Sequence, residues 1–299
     1  MPSLKGIRKR IVSTKATQKI TRAMKMVAGA RLTRAQQRIV AMRPYAVKTG
    51  EVLQSVASTM KAAAESQDEP VHPLLAVRPE SHALYVVLTA DRGLCGALNT
   101  NASKAAERAW REKEAAGASV SFLTLGRKGR EYLTRRGGKV AHDFPRIYDG
   151  LDLEKAKLVA GWIVSRFQKA QIDSVWLVFN EFKSAMTQKV VVDRLLPLTE
   201  GNGGADKGSS TAPNDFLYEP SQRALLERLV PMYVEISIYR ALLESQASFF
   251  GAQMTAMDAA TRNAKEMIAR LTLDYNRARQ AGITKELMEI VGGAEALKE

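Results

Sequence analysis

The first fifty residues of this chain contain no Asp and no Glu, although they hold thirteen of its 45 Lys and Arg. The whole chain carries 31 acidic residues and a formal net charge of +14. Residues 1–50 therefore supply +13, and the other 249 residues set 32 basic against 31 acidic groups, a balance of +1. A charge so concentrated predicts a counter-surface of opposite sign: nucleic acid, an anionic membrane or an acidic protein face.

Other scarcities exclude whole classes of chemistry. Cys95 stands alone, so no intrachain disulfide or dithiol switch is possible. The three histidines, His72, His82 and His142, have no companion at metal-ligand spacing. No apolar run approaches the ~18–20 residues of a membrane span, so a soluble chain is expected. Aromatic residues make up only 6% of the chain, which suits long helices and a mechanical or scaffold role. Asp91-Arg92-Gly93-Leu94-Cys95-Gly96 is not the Gly-x-Gly-x-x-Gly of a dinucleotide loop, and Asp91 would repel a phosphate. In the 201–208 stretch Asp206 sits where a phosphate loop needs glycine, and no Gly-x-Ser-x-Gly occurs. No catalytic residue, cofactor or metal is expected, and an α/β enzyme with helical dimerisation arms finds no catalytic constellation.

What is present is a pair of long heptad helices. Steps of three and four from Ile7 pass through Ile11, Thr14, Gln18, Thr21, Lys25, Ala28, Leu32, Ala35, Ile39, Met42 and Ala46. Ile20, Met24 and Val27 form a second apolar stripe displaced round the helix, which calls for another surface. Pro44 is expected to bend this helix without ending it. The segment is acid-free and basic like a transit peptide, but its seam continues unbroken into the long helix, so it reads as mature structure. At the other end Phe250, Met254, Met257, Thr261, Ala264, Ile268, Leu271, Tyr275 and Ala278 repeat the seam. That pattern starts near Pro220 and runs through Ile283, Leu287, Ile290 and Val291, with Pro231 and Gly251 as candidate kinks. At 1.5 Å per residue the two rods would measure roughly 75–80 Å and more than about 100 Å. Two solitary heptad helices in one chain pair most economically with each other. Connectivity makes the pair antiparallel, and the longer last helix should project as a free tip.

Between them lies a region of ordinary composition. A break at Glu65–Pro79 ends the first helix. Strands are predicted at Leu84–Thr89, Ser119–Leu125, Lys139–His142, Ser174–Phe179 and Gln188–Leu196. Helices are predicted at Asn99–Ala116, Lys128–Arg136 and Leu153–Ala170. This alternation predicts an α/β fold, Rossmann-like with a mostly parallel sheet, and the Phe182–Ala185 link makes an antiparallel hairpin at one edge. Glu200–Asn214 is rich in Gly, Ser and Asn and is expected to be a mobile loop. The organisation expected is 1–64 as first coiled-coil helix, 80–218 as α/β domain and 219–299 as last coiled-coil helix.

Three stretches resemble the gamma subunit of F-type ATP synthase. Thr17-Gln18-Lys19-Ile20-Thr21-Arg22-Ala23-Met24-Lys25-Met26-Val27-Ala28 is similar to that family's first-helix signature. Ala90-Asp91-Arg92-Gly93-Leu94-Cys95-Gly96-Ala97-Leu98-Asn99 resembles its loop after the first strand. Tyr275-Asn276-Arg277-Ala278-Arg279-Gln280, with residues 283–296, resembles its last-helix signature. The resemblance implies an antiparallel coiled coil with an α/β domain between its helices, turning inside a ring of alpha and beta subunits. It implies epsilon and the membrane ring as partners of the α/β foot and delta as an indirect one, with no nucleic acid and no direct membrane insertion. The nucleotide chemistry would belong to the beta subunits, and the place would be the cytoplasmic face of the bacterial inner membrane.

Carried over by position, Met24, Lys25, Gln280, Thr284 and Glu286 would touch beta subunits. Asp91, Arg92, Gly93, Leu94, Cys95 and Asn99 would lie near epsilon, and Tyr218 and Glu219 on the membrane-ring side. Gln253 stands where some members carry a basic residue, and Lys25 where an acid is frequent. A basic coiled-coil nucleic-acid-binding protein is the alternative that the charge alone allows.

Overall fold

A computed structural model describes residues 3–63, 72–198 and 222–296. Tyr218, Glu219, the 200–214 loop and the first part of the Glu65–Pro79 break lie outside the described residues. The chain divides into two compact units, one of Met1–Gly29 with Gln253–Glu299 and one of Ala30–Ala252. Both long helices, α1 (Leu4–Ala63) and α5 (Gln222–Ala296), contribute to each unit. Pro44 and Pro231 sit inside these helices without ending them.

In the first unit the helices face each other along the predicted seam. The Thr261 hydroxyl donates to Thr21 Oγ1 at 2.8 Å, and Lys25 pairs with Asp258 at 2.5 Å. Thr14 lies 3.9 Å from the Met267 sulfur, and Gly29 packs beneath Met254. The residue numbers of each facing pair add to between 281 and 283, which is the signature of antiparallel pairing. Exposure follows the seam. Ile7, Thr21 and Ala28 are buried, as are Met257 and Ala264 across from them, while Ile20 and Val27 of the displaced stripe are exposed. Small residues at 28 and 264 let the two backbones approach closely, as a narrow pair requires.

The second unit is built on a five-stranded sheet. Its strands are β1 (His82–Leu88), β2 (Ser119–Leu125), β3 (Val140–Phe144), β4 (Ser174–Phe182) and β5 (Gln188–Leu196), in the order β3-β2-β1-β4-β5. β1 pairs in parallel with β2 and β4, β2 pairs in parallel with β3, and only the β4–β5 hairpin is antiparallel. The helices between strands are α2 (Leu98–Ala115), α3 (Arg127–Arg135) and α4 (Leu153–Gln168). β1 is buried at every position after its first, as a central parallel strand covered on both faces must be.

Alternate residues divide the core. Ala83, Tyr85 and Val87 cluster with Val120, Phe122 and Val178 on one face, against Ala106 of α2 and Leu133 of α3. Leu84, Val86 and Leu88 are equally buried toward the other. α5 is tied to the end of β4, where Ser248 donates to the Asn180 carbonyl and Glu244 accepts the Phe182 N–H. α4 ends two residues before the predicted Ala170 because Ala170 turns left-handed (φ 53°), with the Gln171 N–H returning to the Arg166 carbonyl.

Candidate functional site

The paired helices of the first unit place the ring-facing candidates. Met24 is half-buried beside the seam and Lys25 lies in it. Standing where an acid is frequent, the Lys25 ammonium would by itself add to the local positive charge. Instead Asp258 answers it, and hydrogen bonding to Lys25 holds the Asp258 carboxyl below its ordinary range. Asp258 is the residue that sequence reasoning missed. Its signal was available only once the antiparallel register put position 258 opposite 25.

Further along α5 the register runs out. Leu4, the first residue of α1, falls opposite position 278, so among the described residues no turn of α1 lies across from Ile283 and the residues that follow it. Gln280, Thr284 and Glu286 are exposed, and from Ile283 onward every described side chain is exposed. Ile283, Leu287, Met288, Ile290 and Val291 thus leave a run of apolar surface on the last turns of α5. Exposed apolar surface that concentrated marks an interaction site.

The loop after β1 is held by its own side chains. Asn99 Oδ1 accepts the Ala90 N–H at 2.9 Å, and its amide donates to the Arg92 carbonyl and the Cys95 sulfur. Asp91 accepts the Arg127 N–H at 3.0 Å and the Arg146 N–H at 3.4 Å. The Lys128 N–H reaches the Ala90 carbonyl, and the Gly129 N–H reaches Thr89 Oγ1 at 2.7 Å. The first amides of α3, the groups that would cradle an anion, are consumed by residues 89–91. Asp91 is therefore a cap, which deepens the expectation that it would repel phosphate.

Gly126 makes this approach possible. It has φ 106°, and a Cβ there would come 1.9 Å from the Thr89 carbonyl oxygen. Cys95 is buried, and burial pushes its thiol up, which disfavours the reactive thiolate. Arg92, Gly93 and Leu94 are exposed, as are Gly96 and Ala97 on the far side of Cys95.

A cleft of about 220 Å³ opens beside this loop, lined by the ends of β1 and β4, by Tyr148 and by α5. Sequence reasoning did not find it, because its walls come from segments far apart in the chain. Among the described residues no group of three His, Cys, Asp or Glu side chains could hold a metal ion. No described helix is long and apolar enough to cross a membrane.

Comparison with known proteins bears on this arrangement. The family model described as ATP synthase matches residues 3–297. A protein of Sorangium cellulosum named ATP synthase gamma chain is 55% identical over 323 aligned positions, covering 100% of both chains. One of the same name from Geobacter metallireducens is 48% identical over 298 positions, again covering 100% of both. Among solved structures, a chain from the Tetrahymena thermophila mitochondrial ATP synthase central stalk and c-ring aligns with TM-score 0.62 at 25% identity. That alignment covers 81% of this chain and 99% of the other. A chain of the Euglena gracilis mitochondrial ATP synthase aligns with TM-score 0.64, covering 98% of this chain and 94% of the other; at 21% identity it speaks to the fold alone. None of these relatives supports the nucleic-acid alternative. With full-length identity to curated relatives, three signature stretches in order and the paired helices they predict, the chain belongs to the ATP synthase gamma chain family.

Proposed function

We propose that this chain is the central rotor shaft of an F-type ATP synthase, a non-catalytic subunit that couples the proton-driven membrane ring to the catalytic beta subunits. Its paired terminal helices stand within the ring of alpha and beta subunits. The sheet-bearing unit, with epsilon, sits on the membrane ring at the cytoplasmic face of the bacterial inner membrane. The shaft acts as a ligand with different contacts to each beta subunit, and only such differential contact can shift a conformational equilibrium. As it turns, each beta subunit is biased in succession toward a different nucleotide affinity, and nucleotide affinity and shaft orientation are coupled reciprocally.

The observation that carries this reading is the end of α5, where Ile283, Leu287, Ile290 and Val291 stay exposed beyond the reach of α1. A counter-surface outside the chain must cover them. Gln280, Thr284 and Glu286 lie on the same stretch and are assigned to beta contact with Met24 and Lys25. Arg92, Gly93 and the exposed Leu94 are assigned to the epsilon contact, while Asp91, Cys95 and Asn99 hold the loop that presents them. Tyr218 and Glu219 are assigned to the membrane-ring side on the resemblance alone.

The test is reconstitution with alpha and beta subunits and observation of a bead fixed to the foot. ATP should drive unidirectional rotation, while the chain alone should not hydrolyse ATP. A ring that assembles and turns over identically without this chain would overturn the reading, as would ATP turnover by the pure chain.

A further inference from the structure

A rotor has to carry torque across its own joints. Among the described residues the sheet and α5 are joined by contacts alone, because residues 199–221 between them lie outside the description. Those contacts gather where β4 outruns its neighbour. β1 pairs with β4 only as far as Val87 opposite Val178. Past that point β4 has a strand on its β5 side alone, and α5 takes the vacant place. Ser248 donates to the Asn180 carbonyl at 2.9 Å, and Glu244 Oε2 accepts the Phe182 N–H at 3.2 Å. Asn180 and Phe182 are two residues apart in an extended strand, so both bonds leave β4 by one edge. On α5, positions 244 and 248 share a face that continues to Gly251.

That face is built to hold a position. The Glu244 side chain is 4% exposed, and a carboxylate buried so deeply is costly unless its oxygens are used. Both are used: Oε1 takes Arg240 of its own helix at 3.3 Å, while Oε2 takes the strand. At Gly251 helix and hairpin come close, since a Cβ there would lie 3.3 Å from the Cα and carbonyl oxygen of Ala185 and from the Phe182 ring. The turn it meets is braced from within. Ser184 N–H donates to the Thr187 carbonyl, Thr187 N–H to Ser184 Oγ, and the Gln188 amide to the carbonyls of Ser184 and Ala185. Lower on α5, by contrast, β4 and β5 leave a void of about 50 Å³ against Tyr233, Ser237 and Arg240. Apolar packing resists separation but has no preferred direction, whereas a hydrogen bond weakens steeply when misaligned. The bonds at 244 and 248 therefore resist sliding and twisting, which packing alone permits.

We propose that the face of α5 formed by Glu244, Ser248 and Gly251 is a torque clamp, which locks the β4–β5 hairpin to the helix so that rotation imposed on the sheet passes to α5 without slip. Glu244 and Ser248 are positioning residues in it, and Gly251 is the close approach that keeps both bonds short. The inference rests on the rotor reading and adds to it the place where the load crosses.

The test uses the full-length chain assembled with alpha and beta subunits, the ring fixed to a surface and stalled with a non-hydrolysable ATP analogue. A probe on exposed Lys104 of α2 reports the sheet, and one on exposed Arg228 reports α5. Glu244→Ala with Ser248→Ala should at least double the angular variance of the Lys104 probe and leave that of the Arg228 probe unchanged. Glu244→Gln, which keeps an acceptor for the Phe182 N–H, should stay near the unmodified value. Gly251→Ala, which asks the hairpin to withdraw by a few tenths of an ångström, should raise the Lys104 variance less than the double variant does. Amide exchange of the free chain guards against a folding defect: the Phe182 amide should exchange at least tenfold faster in the double variant, with the amides of β1 unchanged. The clamp is overturned if the Lys104 variance stays the same in both the double variant and Gly251→Ala, or if both probes loosen equally. It is equally overturned if exchange accelerates across the whole sheet, which would make these contacts part of the fold rather than of the drive. Failure of the unmodified chain to assemble with the ring would overturn the rotor reading and the clamp with it, whereas a variant that rotates with unchanged stiffness sinks the clamp alone.

Discussion

Replacing Ile283, Leu287 and Ile290 together by Gln tests whether the tip of α5 is made for a partner. Gln matches Leu closely in helix propensity, so the helix itself should be unaffected. In the chain these side chains are 56%, 57% and 72% exposed, so most of their apolar burial is still unclaimed. Full burial of such a side chain contributes about 1.5–3 kcal/mol. Scaled by the exposed fraction, each can contribute about 1 kcal/mol or more on docking, and the three together ~3 kcal/mol or more. At 1.4 kcal/mol per decade, the triple variant should weaken association with an alpha/beta ring by at least about 100-fold. Its own melting temperature should hardly move, because exposed substitutions away from packing cost within about 0.5 kcal/mol each. Titrating the labelled chain into preformed alpha/beta ring gives the first quantity, and circular dichroism of the free chain gives the second. Unchanged affinity would show that the ring does not cover the tip. A melting temperature lowered by many degrees would show that these residues are buried within the chain, and the reasoning would fail at its starting point.

Three further outcomes follow from particular contacts. Gly126→Ala should be among the most destabilising single substitutions, costing about 3 kcal/mol or more by chemical denaturation, since it adds a left-handed strain to a Cβ–carbonyl collision at 1.9 Å; a near-neutral result would mean that the β1 loop can withdraw freely. Lys25→Glu should lower the melting temperature at low ionic strength, Lys25→Glu with Asp258→Lys should restore it, and about 0.5 M salt should shrink both effects, because the pair is partly exposed; additive single and double effects would dissolve the pairing. His72 accepts the Leu74 N–H through Nδ1, and burial, opposed by Glu227, pulls its pKa below the ordinary 6.5. Below that value the unfolded chain takes up a proton that the folded chain refuses, so stability is full above about pH 6.5 and falls as pH drops toward the depressed folded value. His72→Asn, which keeps an acceptor for the turn, should flatten this slope between pH 7.5 and 5.5 in denaturant titrations, and an unchanged slope would assign the acid sensitivity to another group.

Where burial follows a fixed spacing, the sequence was legible. The seam from Ile7 to Ala46 and its counterpart from Phe250 to Ala278 are the protected positions of their helices, because a 3.5-residue repeat needs no knowledge of the partner. Ser119–Leu125 and Gln188–Leu196 are strands over the predicted residues, bounded by turn chemistry on each side. β4 runs on to Phe182 although Asn180 and Glu181 are polar, because hairpin pairing of Asn180 with Val190 and Phe182 with Gln188 outweighs local propensity. The candidate ring contacts and the candidate contact loop after β1 came from motif resemblance and not from any spacing. What no local pattern carries is register between distant segments. Lys25 meets Asp258, and Asp91 caps α3, only once the chain has closed on itself.

The same register explains what the acid-free segment can do. Every carboxylate that meets α1 in the first unit must come from α5, and Asp258 is spent on Lys25. Among the described residues, Arg8, Lys15, Lys19 and Arg22 have no carboxylate within ion-pair distance, so the outward face of α1 keeps its positive charge. Charge alone would suit a polyanion of any kind, since phosphate contacts need only clustered cations. Ile20 at 60% exposed and Val27 at 53%, however, are bare on the same stretch of helix, on the flank turned away from Arg8, Lys15 and Arg22. A phosphate backbone offers such side chains nothing to bury against, whereas an acidic protein surface with apolar patches can cover both. Because apolar burial depends on shape as well as distance, that surface must match this stretch of helix in one orientation better than in others. A charged helix with an apolar flank thereby becomes a contact that changes as it turns, which a uniformly charged rod could not provide.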